Sequence, residues 1–515
     1  MKTNIGSLLT NRAERNPDRE AYVDSQSGIR VTFRDLNLRC NRVANSLIEL
    51  GVKPGDRVAV ALMNSVEFLE AYFAIAKIGG ILVPLNWRLV ADELQFILQD
   101  SGSSTLIFGE EFIDLMADLH SRGNETAVTT WIQVAGDGGE THFSRDYDSL
   151  REAGSDDEPL IGAADDDLLF IMYTSGTTGL PKGVVQSHKT SFWALLTFAA
   201  SCDLRDGDVY LAALPLFHVG SLIPITLNIY RGVTSVVMRE FDPQRAWELI
   251  QEEKVNVSLL VPAMLNFMVQ VPDLESFDFS SLRWIQSGAS PLPVNLIQQY
   301  FDIGIEVHQI YGLTEACGPA CVISAEHALK KIGSTGKAFF HTDVRVVAED
   351  GKDCLPGEPG EVWVSGEHMM LEYWNRPEAT AETITPDGWL RTGDVASMDG
   401  DGFVYIQDRI KDMIISGGEN VYPAEIENVI LSHPEVVEVA VIGQPSERWG
   451  ESPFALIVRM DESLSEADVL KYCDGKLARF KLPKGAAFVD DLPRNANGKV
   501  LKRDLRDQFP GPAPS

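Results

Sequence analysis

Eleven consecutive residues have the composition of a loop that binds phosphate groups. Residues 173–183 read Tyr-Thr-Ser-Gly-Thr-Thr-Gly-Leu-Pro-Lys-Gly and follow an apolar run, residues 168–172, that predicts a β-strand. Glycines let backbone N–H groups approach an anion, and the hydroxyl side chains and Lys182 add donors and positive charge. The string predicts a site for the β- and γ-phosphates of a nucleotide, with these candidate ligands: Thr174, Ser175, Gly176, Thr177, Thr178, Gly179 and Lys182.

The spacing around Lys182 differs from that of a P-loop kinase. In a P-loop the lysine directly follows glycine and precedes serine or threonine. Here Lys182 stands between Pro181 and Gly183. The string therefore argues against a P-loop kinase.

The string resembles the phosphate-binding signature of the adenylate-forming superfamily of acyl-CoA synthetases, adenylation domains and luciferases. Further motifs of that superfamily have counterparts here in the expected order: Tyr311-Gly312-Leu313-Thr314-Glu315, residues 388–394, residues 408–420 and residues 493–499. The resemblance covers nearly the whole chain and is closest to bacterial fatty-acyl-CoA ligases.

The resemblance implies an ATP-dependent carboxylic acid ligase that uses Mg²⁺. The acid attacks the α-phosphorus of ATP to give an acyl-adenylate, and the acyl group then passes to coenzyme A. Cations and metal must meet the negative charge of that transition state. The acid implied is a fatty or arylalkyl acid.

The same resemblance assigns roles to individual residues. The base and ribose of the nucleotide would lie against Ser287, Gly288, Ala289, Tyr311, Gly312, Asp394 and Arg409. Catalysis would depend on Thr314 at the α-phosphate, Glu315 as the Mg²⁺ ligand, Lys499 between acid and α-phosphate, and His218. Phe217 and His218 would line the acyl pocket, Lys411 would be the hinge, and the loop Gly417, Gly418 and Glu419 would serve thioester formation.

The sequence pattern around these residues predicts an α/β fold. Apolar runs alternate with helical patterns, as in the strand at 57–62, the helix at 66–78 and the strand at 81–85. Such alternation predicts largely parallel sheets covered by helices. We therefore predict a large N-terminal domain, residues 1–408, with a β-rich part at about 342–408. A small mobile α+β domain, residues 409–515, would carry the catalytic lysine.

Composition and charge indicate which classes of partner and which location the chain favours. The chain has 515 residues and a net charge of −31, which disfavours nucleic acid and anionic lipid. No signal peptide and no run of about 18 apolar residues is visible, so we expect a cytoplasmic protein without an integral membrane segment. The six scattered cysteines fit reduced thiols rather than a metal site. A homodimer is an expectation from the family alone.

Three other activities compete with the acid–CoA ligase. An amide synthetase of the same fold, in which an amine captures the adenylate, would share every ATP motif. An adenylation module feeding a carrier protein is disfavoured, because about 16 residues follow Lys499. A non-catalytic nucleotide-binding protein is disfavoured by the presence of Glu315, Asp394 and Lys499.

Overall fold

The structure is a computed structural model, and most of the chain is described by it. The described residues are 3–134, 141–174, 181–289, 292–409, 412–416, 419–446, 449–474, 476–477, 479, 481–494 and 500–511.

The strands, in chain order, are β1 Glu20–Asp24, β2 Arg30–Thr32, β3 Arg57–Ala61, β4 Ile81–Pro84, β5 Thr105–Gly109, β6 Thr130–Val134, β7 Arg145–Asp146, β8 Leu168–Thr174, β9 Lys182–Ser187, β10 Val209–Ala212, β11 Thr234–Val237, β12 Val257–Leu260, β13 Trp284–Ser287, β14 Glu306–Leu313, β15 Gly318–Val322, β16 Lys337–Ala338, β17 Asp343–Val347, β18 Pro359–Ser365, β19 Glu372–Tyr373, β20 Leu390–Met398, β21 Val404–Arg409, β22 Ile414–Ser416, β23 Glu419–Val421, β24 Val436–Ser446, β25 Gly450–Arg459 and β26 Gly485–Phe488.

The helices are α1 Gly6–Arg15, α2 Phe33–Glu49, α3 Val66–Ile78, α4 Ala91–Ser101, α5 Ile113–Ser121, α6 Tyr147–Ala153, α7 His188–Ser201, α8 Val219–Arg231, α9 Pro243–Glu252, α10 Pro262–Val269, α11 Val294–Asp302, α12 Ala325–Ala328, α13 Pro377–Thr383, α14 Pro423–Leu431, α15 Glu466–Cys473 and α16 Lys502–Gln508.

Two large sheets form the N-terminal part. In the described residues the first has the order β16-β15-β14-β13-β12-β10-β11-β1-β2, and the second β19-β9-β8-β4-β3-β5-β6-β7. Their central strands are parallel, while the edge pairs β14–β15 and β8–β9 are antiparallel. The predicted sites therefore lie where parallel strands meet antiparallel additions.

The largest apolar core lies between these two sheets. It contains buried residues of α2, α3, α7 and α8 together with residues from strands of both sheets. Helix α3 is buried on nearly every face, because its sequence is apolar all round apart from a few residues. Helices α9, α10 and α11 cover the outer face of the first sheet, and α4 and α5 that of the second. The result is alternating layers of helix and sheet.

Smaller sheets follow along the chain. Strands β17, β18, β20 and β21 form an antiparallel sheet. Strands β22 to β26 form a mixed sheet in the C-terminal part, in which β26 pairs parallel with β25 and on which α14 and α15 pack. The fold is thus mixed α/β, with a large N-terminal and a small C-terminal domain. The exact boundary at 408/409 stays a prediction.

The predicted elements agree well with these bounds. Helix α3 spans the predicted residues 66–78, and strands occur at all the predicted positions within one or two residues at most ends. Ser465 caps α15 through a capping box with Asp468. Helix α15 ends at Cys473, before an Asp-Gly pair that favours termination. Within the described residues, no helix is long and apolar enough to cross a membrane.

Candidate active site

The base of the predicted phosphate loop is an antiparallel hairpin of β8 and β9. Thr174 ends β8, Lys182 begins β9, and the two are directly paired. The Thr174 hydroxyl reaches the Lys182 carbonyl oxygen at 3.5 Å. The predicted ligands between them lie outside the described residues: Ser175, Gly176, Thr177, Thr178 and Gly179. The hairpin therefore fixes the two ends of the loop side by side.

Glu315 lies close to this hairpin through a shared neighbour, Tyr373. The Tyr373 hydroxyl donates to Glu315 Oε1 at 2.7 Å. The Lys182 Nζ lies 4.9 Å from the centroid of the same ring. A lysine and a carboxylate, which are 133 residues apart in sequence, thus contact one phenol.

The Thr314–Glu315 turn is held by its backbone. Residues Thr314–Ala316 form a short 3₁₀ turn directly after β14. The Thr314 carbonyl accepts from Gln186 Nε2 at 3.2 Å, and the Glu315 carbonyl accepts from the Met370 N–H at 2.7 Å. Gln186 belongs to β9, so one strand positions both Lys182 and this turn.

Backbone segments pack closely against one another beside the predicted site for the nucleotide base. Ser287 ends β13 and is paired with β14 at Gln309. A side chain at Gly288 would collide with the Ile310 carbonyl, and one at Gly312 with the Gly318 carbonyl, so only glycine fits at either place. Ala289 has φ of 70°, an uncommon value for a residue with a side chain. Such conformations concentrate at ligand sites.

Tyr311 and Asp394 meet across two sheets. The Tyr311 hydroxyl donates to Asp394 Oδ2 at 2.6 Å, and Asp394 is only 7% exposed. Burial and the neighbouring carboxylate raise the pKa of Tyr311 well above its usual range. Asp394 is paired with Arg409 across β20 and β21, but the Arg409 side chain lies outside the described structure. A buried carboxylate beside an aromatic ring is suited to accept the hydroxyl donors of a ribose.

Phe217 and His218 sit on the loop before α8. Buried Asn64 fixes this loop, because its side chain bonds the Leu214 carbonyl and the Leu216 N–H at 3.0 and 2.8 Å. Phe217 packs edge-on against Trp87, with ring centroids 6.1 Å apart. His218 caps α8, where its Nδ1 accepts from the Gly220 N–H at 3.2 Å.

The catalytic candidates of the C-terminal part lie outside the described residues: Lys411, Gly417, Gly418 and Lys499. Glu419 is in β23, but its side chain is not described. The segment that carries Lys499 closes at its base, since Arg494 and Val500 form an antiparallel bridge and the Leu501 N–H donates to the Pro493 carbonyl at 2.7 Å.

The residues of the candidate site fit Mg²⁺ bound together with a nucleotide better than a metal ion held by protein ligands alone. Among the described residues no cluster of three or more His, Cys, Asp or Glu side chains could hold a metal ion. Mg²⁺ is typically held by one or two carboxylates together with substrate phosphates and water. Glu315 satisfies that pattern, since Tyr373 engages its Oε1 and, among the described residues, no hydrogen bond engages its Oε2.

Four residues that frame the site escaped the sequence analysis: Asn64, Asp100, Gln186 and Tyr373. Asn64 follows β3 at the carboxyl edge of a parallel sheet, a position that often carries function and could have been noticed. The other three are distant in sequence from the residues they contact, so only the structure reveals them.

Residues 9–374 match the family described as AMP-binding enzyme, and residues 425–499 match the AMP-binding enzyme C-terminal domain. The chain is 45% identical over 512 residues to the long-chain-fatty-acid–CoA ligase FadD13 of Mycobacterium tuberculosis, covering 99% of each. It is 39% identical over 507 residues to a feruloyl-CoA synthase of Amycolatopsis sp, covering 98% of this chain and 99% of the other. The crystal structure of ATP-bound MatB from Rhodopseudomonas palustris superposes with a TM-score of 0.90 at 32% identity, covering 99% of both chains.

Proposed function

This chain belongs to the family of AMP-binding enzymes, and we propose that it activates a fatty or arylalkyl acid as the acyl-adenylate and transfers the acyl group to coenzyme A. It is an enzyme, an AMP-forming acid–thiol ligase that uses ATP, Mg²⁺ and coenzyme A. The observation that supports the site is the convergence of Lys182 and Glu315 on Tyr373 beside the Thr174 hairpin.

The first half-reaction forms one bond to phosphorus and breaks another. A carboxylate oxygen of the acid attacks the α-phosphorus of ATP, the bond from that phosphorus to the β-phosphate breaks, and pyrophosphate leaves. Mg²⁺, when bound, neutralises negative charge on the phosphates. In the proposal, Lys182 and the loop after Thr174 hold the β- and γ-phosphates. Thr314 donates to the α-phosphate, and Lys499 bridges it to the acid.

The second half-reaction breaks the mixed anhydride. The thiolate of coenzyme A attacks the acyl carbon, and AMP leaves with the electrons of the carbon–oxygen bond. We propose that the small domain turns at Lys411 between the two steps, which removes Lys499 and brings Gly417, Gly418 and Glu419 to the acyl carbon. One nucleotide site then serves both reactions.

An apolar cleft supports an apolar acid. It lies between α7, α8 and the first sheet, and its volume is about 20 Å³, roughly the space of one water molecule. Its walls share an apolar or aromatic character, apart from a few polar side chains: Phe198, Cys202, Leu204, Tyr210, Pro224, Leu227, Asn228, Leu259, Trp284 and Gln286. The apolar lining, rather than the volume, is the feature that favours an apolar acid. Phe217 and His218 would stand at its approach.

The test is a screen for pyrophosphate release over carboxylic acids, with and without coenzyme A. We expect release to require ATP, Mg²⁺ and an apolar acid, and the acyl thioester to accumulate only with coenzyme A. Hydroxylamine and alkyl amines replace coenzyme A in parallel reactions. Amide formed faster than thioester would overturn the assignment of the acceptor, and no acid-dependent release would overturn the activity.

Two broader expectations accompany this function. We propose a cytoplasmic location, which suits an enzyme of three water-soluble co-substrates, and a homodimer. Light scattering on the purified chain measures the second, and a mass of about 57 kDa, that of one chain, would contradict it.

A further inference from the structure

Tyr373 lies on a segment tied to both halves of the phosphate and metal site. Its strand β19 pairs antiparallel with β9, with Tyr373 opposite Val184. At one end of the segment the Met370 N–H donates to the Glu315 carbonyl, and at the other the Trp374 N–H donates to the Gly183 carbonyl, each at 2.7 Å. The segment therefore spans from the carboxylate turn to the lysine strand.

A second set of contacts fixes the far side of this segment. Trp374 Nε1 donates to the Asp100 carbonyl at 3.0 Å, and Arg376 Nη2 pairs with Asp100 Oδ1 at 2.7 Å. The Asp100 Oδ2 accepts from the Tyr173 hydroxyl at 2.7 Å, directly before the phosphate loop. Tyr373 itself is 7% exposed, so its ring has little freedom to move.

The phenol separates two opposite charges. Its hydroxyl donates to Glu315 Oε1, and its ring face lies 4.9 Å from Lys182 Nζ. Aromatic faces attract cations, and a hydroxyl donor orients a carboxylate without carrying charge. Among the described residues neither Lys182 nor Glu315 takes part in an ion pair, and both contact Tyr373. Without the phenol the two would form a direct salt bridge and be withdrawn from the nucleotide.

We propose that Tyr373 is a positioning residue, which holds the metal carboxylate of Glu315 and the phosphate ammonium of Lys182 oriented and apart so that both remain available to Mg²⁺–ATP. This rests on the proposed function of the site. The residue touches neither reacting atom, and its effect passes through Glu315 and Lys182.

The experiment distinguishes the effect of the Tyr373 hydroxyl from that of its ring. It also distinguishes an effect on the ATP site from a general loss of stability. Tyr373→Phe keeps the ring and removes the donor, and Tyr373→Leu removes both. Tyr147→Phe is the matched control, because its hydroxyl donates to buried Glu70 at 3.0 Å, in another part of the large domain. Binding of ATP is measured by calorimetry over a series of Mg²⁺ concentrations, and acid-dependent pyrophosphate release over the same series.

For Tyr373→Phe we expect the Mg²⁺ concentration for half-maximal ATP binding to rise about tenfold, the factor for one hydrogen bond to a charged group. Tyr373→Leu should weaken ATP binding further and at saturating Mg²⁺ too, since Lys182 is then free to pair with Glu315. Tyr147→Phe should leave both curves unchanged. Thioester formation from a supplied acyl-adenylate should remain within about twofold in every variant, because Mg²⁺–ATP takes no part in it.

Unchanged Mg²⁺ dependence of binding in Tyr373→Phe would overturn the proposal, including when the variant has a lower unfolding temperature. A shift of the same size in Tyr147→Phe would overturn it as well, because the effect would then be one of general stability. Since binding is measured independently of turnover, a chain that binds Mg²⁺–ATP but releases no pyrophosphate with any acid would contradict the proposed function alone.

Discussion

At the scale of single residues, burial determines the protonation state of His218. Desolvation lowers its pKa to about 4, and its Nδ1 accepts the Gly220 N–H at the start of α8. The imidazole is therefore neutral at pH 7, with its proton on Nε2. A neutral ring can wall an acyl pocket or donate one hydrogen bond, but it supplies no positive charge to a carboxylate. Its catalytic role stays a prediction in that narrower form.

The cation for the acid must then come from elsewhere, and Lys499 is the residue we predict. Lys499→Ala should lower acid-dependent ATP–pyrophosphate exchange by about 100-fold or more, the loss typical of one charged group at a transition state. Thioester formation from a supplied acyl-adenylate should stay near that of the wild type, because the proposed rotation of the small domain removes the lysine from the site before this step. Lys502→Ala, a nearby lysine paired with Glu427, is the control and should exchange normally. Wild-type exchange in Lys499→Ala would remove this residue from the mechanism.

At the scale of elements, the sequence was most informative where local pattern decides structure. Helix α3 and the strands around it could be predicted from unbroken apolar runs between turn residues. Pro423 is the first residue of α14, a helix position that proline favours. Three of the predicted nucleotide contacts, Thr174, Lys182 and Ser287, lie at strand ends, where motif and element coincide. Tyr373 and Asp100 could not be found in this way, because their roles arise from side chains that meet between segments more than 50 residues apart.

The contacts of Asp100 predict an element-level effect. Its carboxylate, 11% exposed, joins the end of α4 to Tyr173 and to Arg376. Asp100→Ala should lower the free energy of unfolding by about 2 kcal/mol, since it leaves a phenol and a guanidinium without their acceptor. It should also raise the KM for ATP by roughly tenfold, because the strand that leads into the phosphate loop loses its anchor.

A matched control distinguishes this anchor from any aspartate–arginine pair. Asp118 pairs with Arg122 at 2.7 Å on the surface of α5. Asp118→Ala should change the free energy of unfolding by about 0.5 kcal/mol or less and leave the KM for ATP unaltered. Chemical denaturation and steady-state kinetics measure both variants, and equal behaviour of the two would show that Asp100 has no special position.

At the scale of the whole molecule, two histidines are buried in the core. The carboxylates of Asp165 and Asp167 offset the desolvation of the first, His188, only in part. His188 and His368 are fully buried, and desolvation lowers the pKa of each to about 4. His188 Nδ1 accepts the Ile5 N–H at 3.1 Å, and His368 Nε2 lies 3.0 Å from the Pro319 carbonyl oxygen. They tie the N-terminal segment to α7, and the region after β18 to β15. Both are therefore neutral parts of the core at pH 7.

Acid should consequently destabilise the fold well before most carboxylates titrate. Between pH 6.5 and pH 4 the unfolded chain binds protons that these buried rings do not, so the free energy of unfolding falls as pH falls. At pH 5 the loss is about 2 kcal/mol for each ring, from an unfolded pKa of roughly 6.5. Below pH 4 this source adds no further loss.

Denaturant unfolding at pH 7.5, 6, 5 and 4.5 measures the slope. His188→Gln and His368→Gln should each lower stability at pH 7.5, because the core is disturbed, yet each should flatten the fall between pH 6.5 and 5. His142→Gln, at an exposed position, should leave the wild-type slope intact. The sign of the stability change distinguishes the histidine effect from that of the net charge of −31. Neutralising carboxylates would reduce repulsion and stabilise the fold as pH falls, whereas protonating the buried histidines destabilises it. A wild-type chain whose stability is level from pH 7.5 to 5 would contradict the neutral, buried histidines.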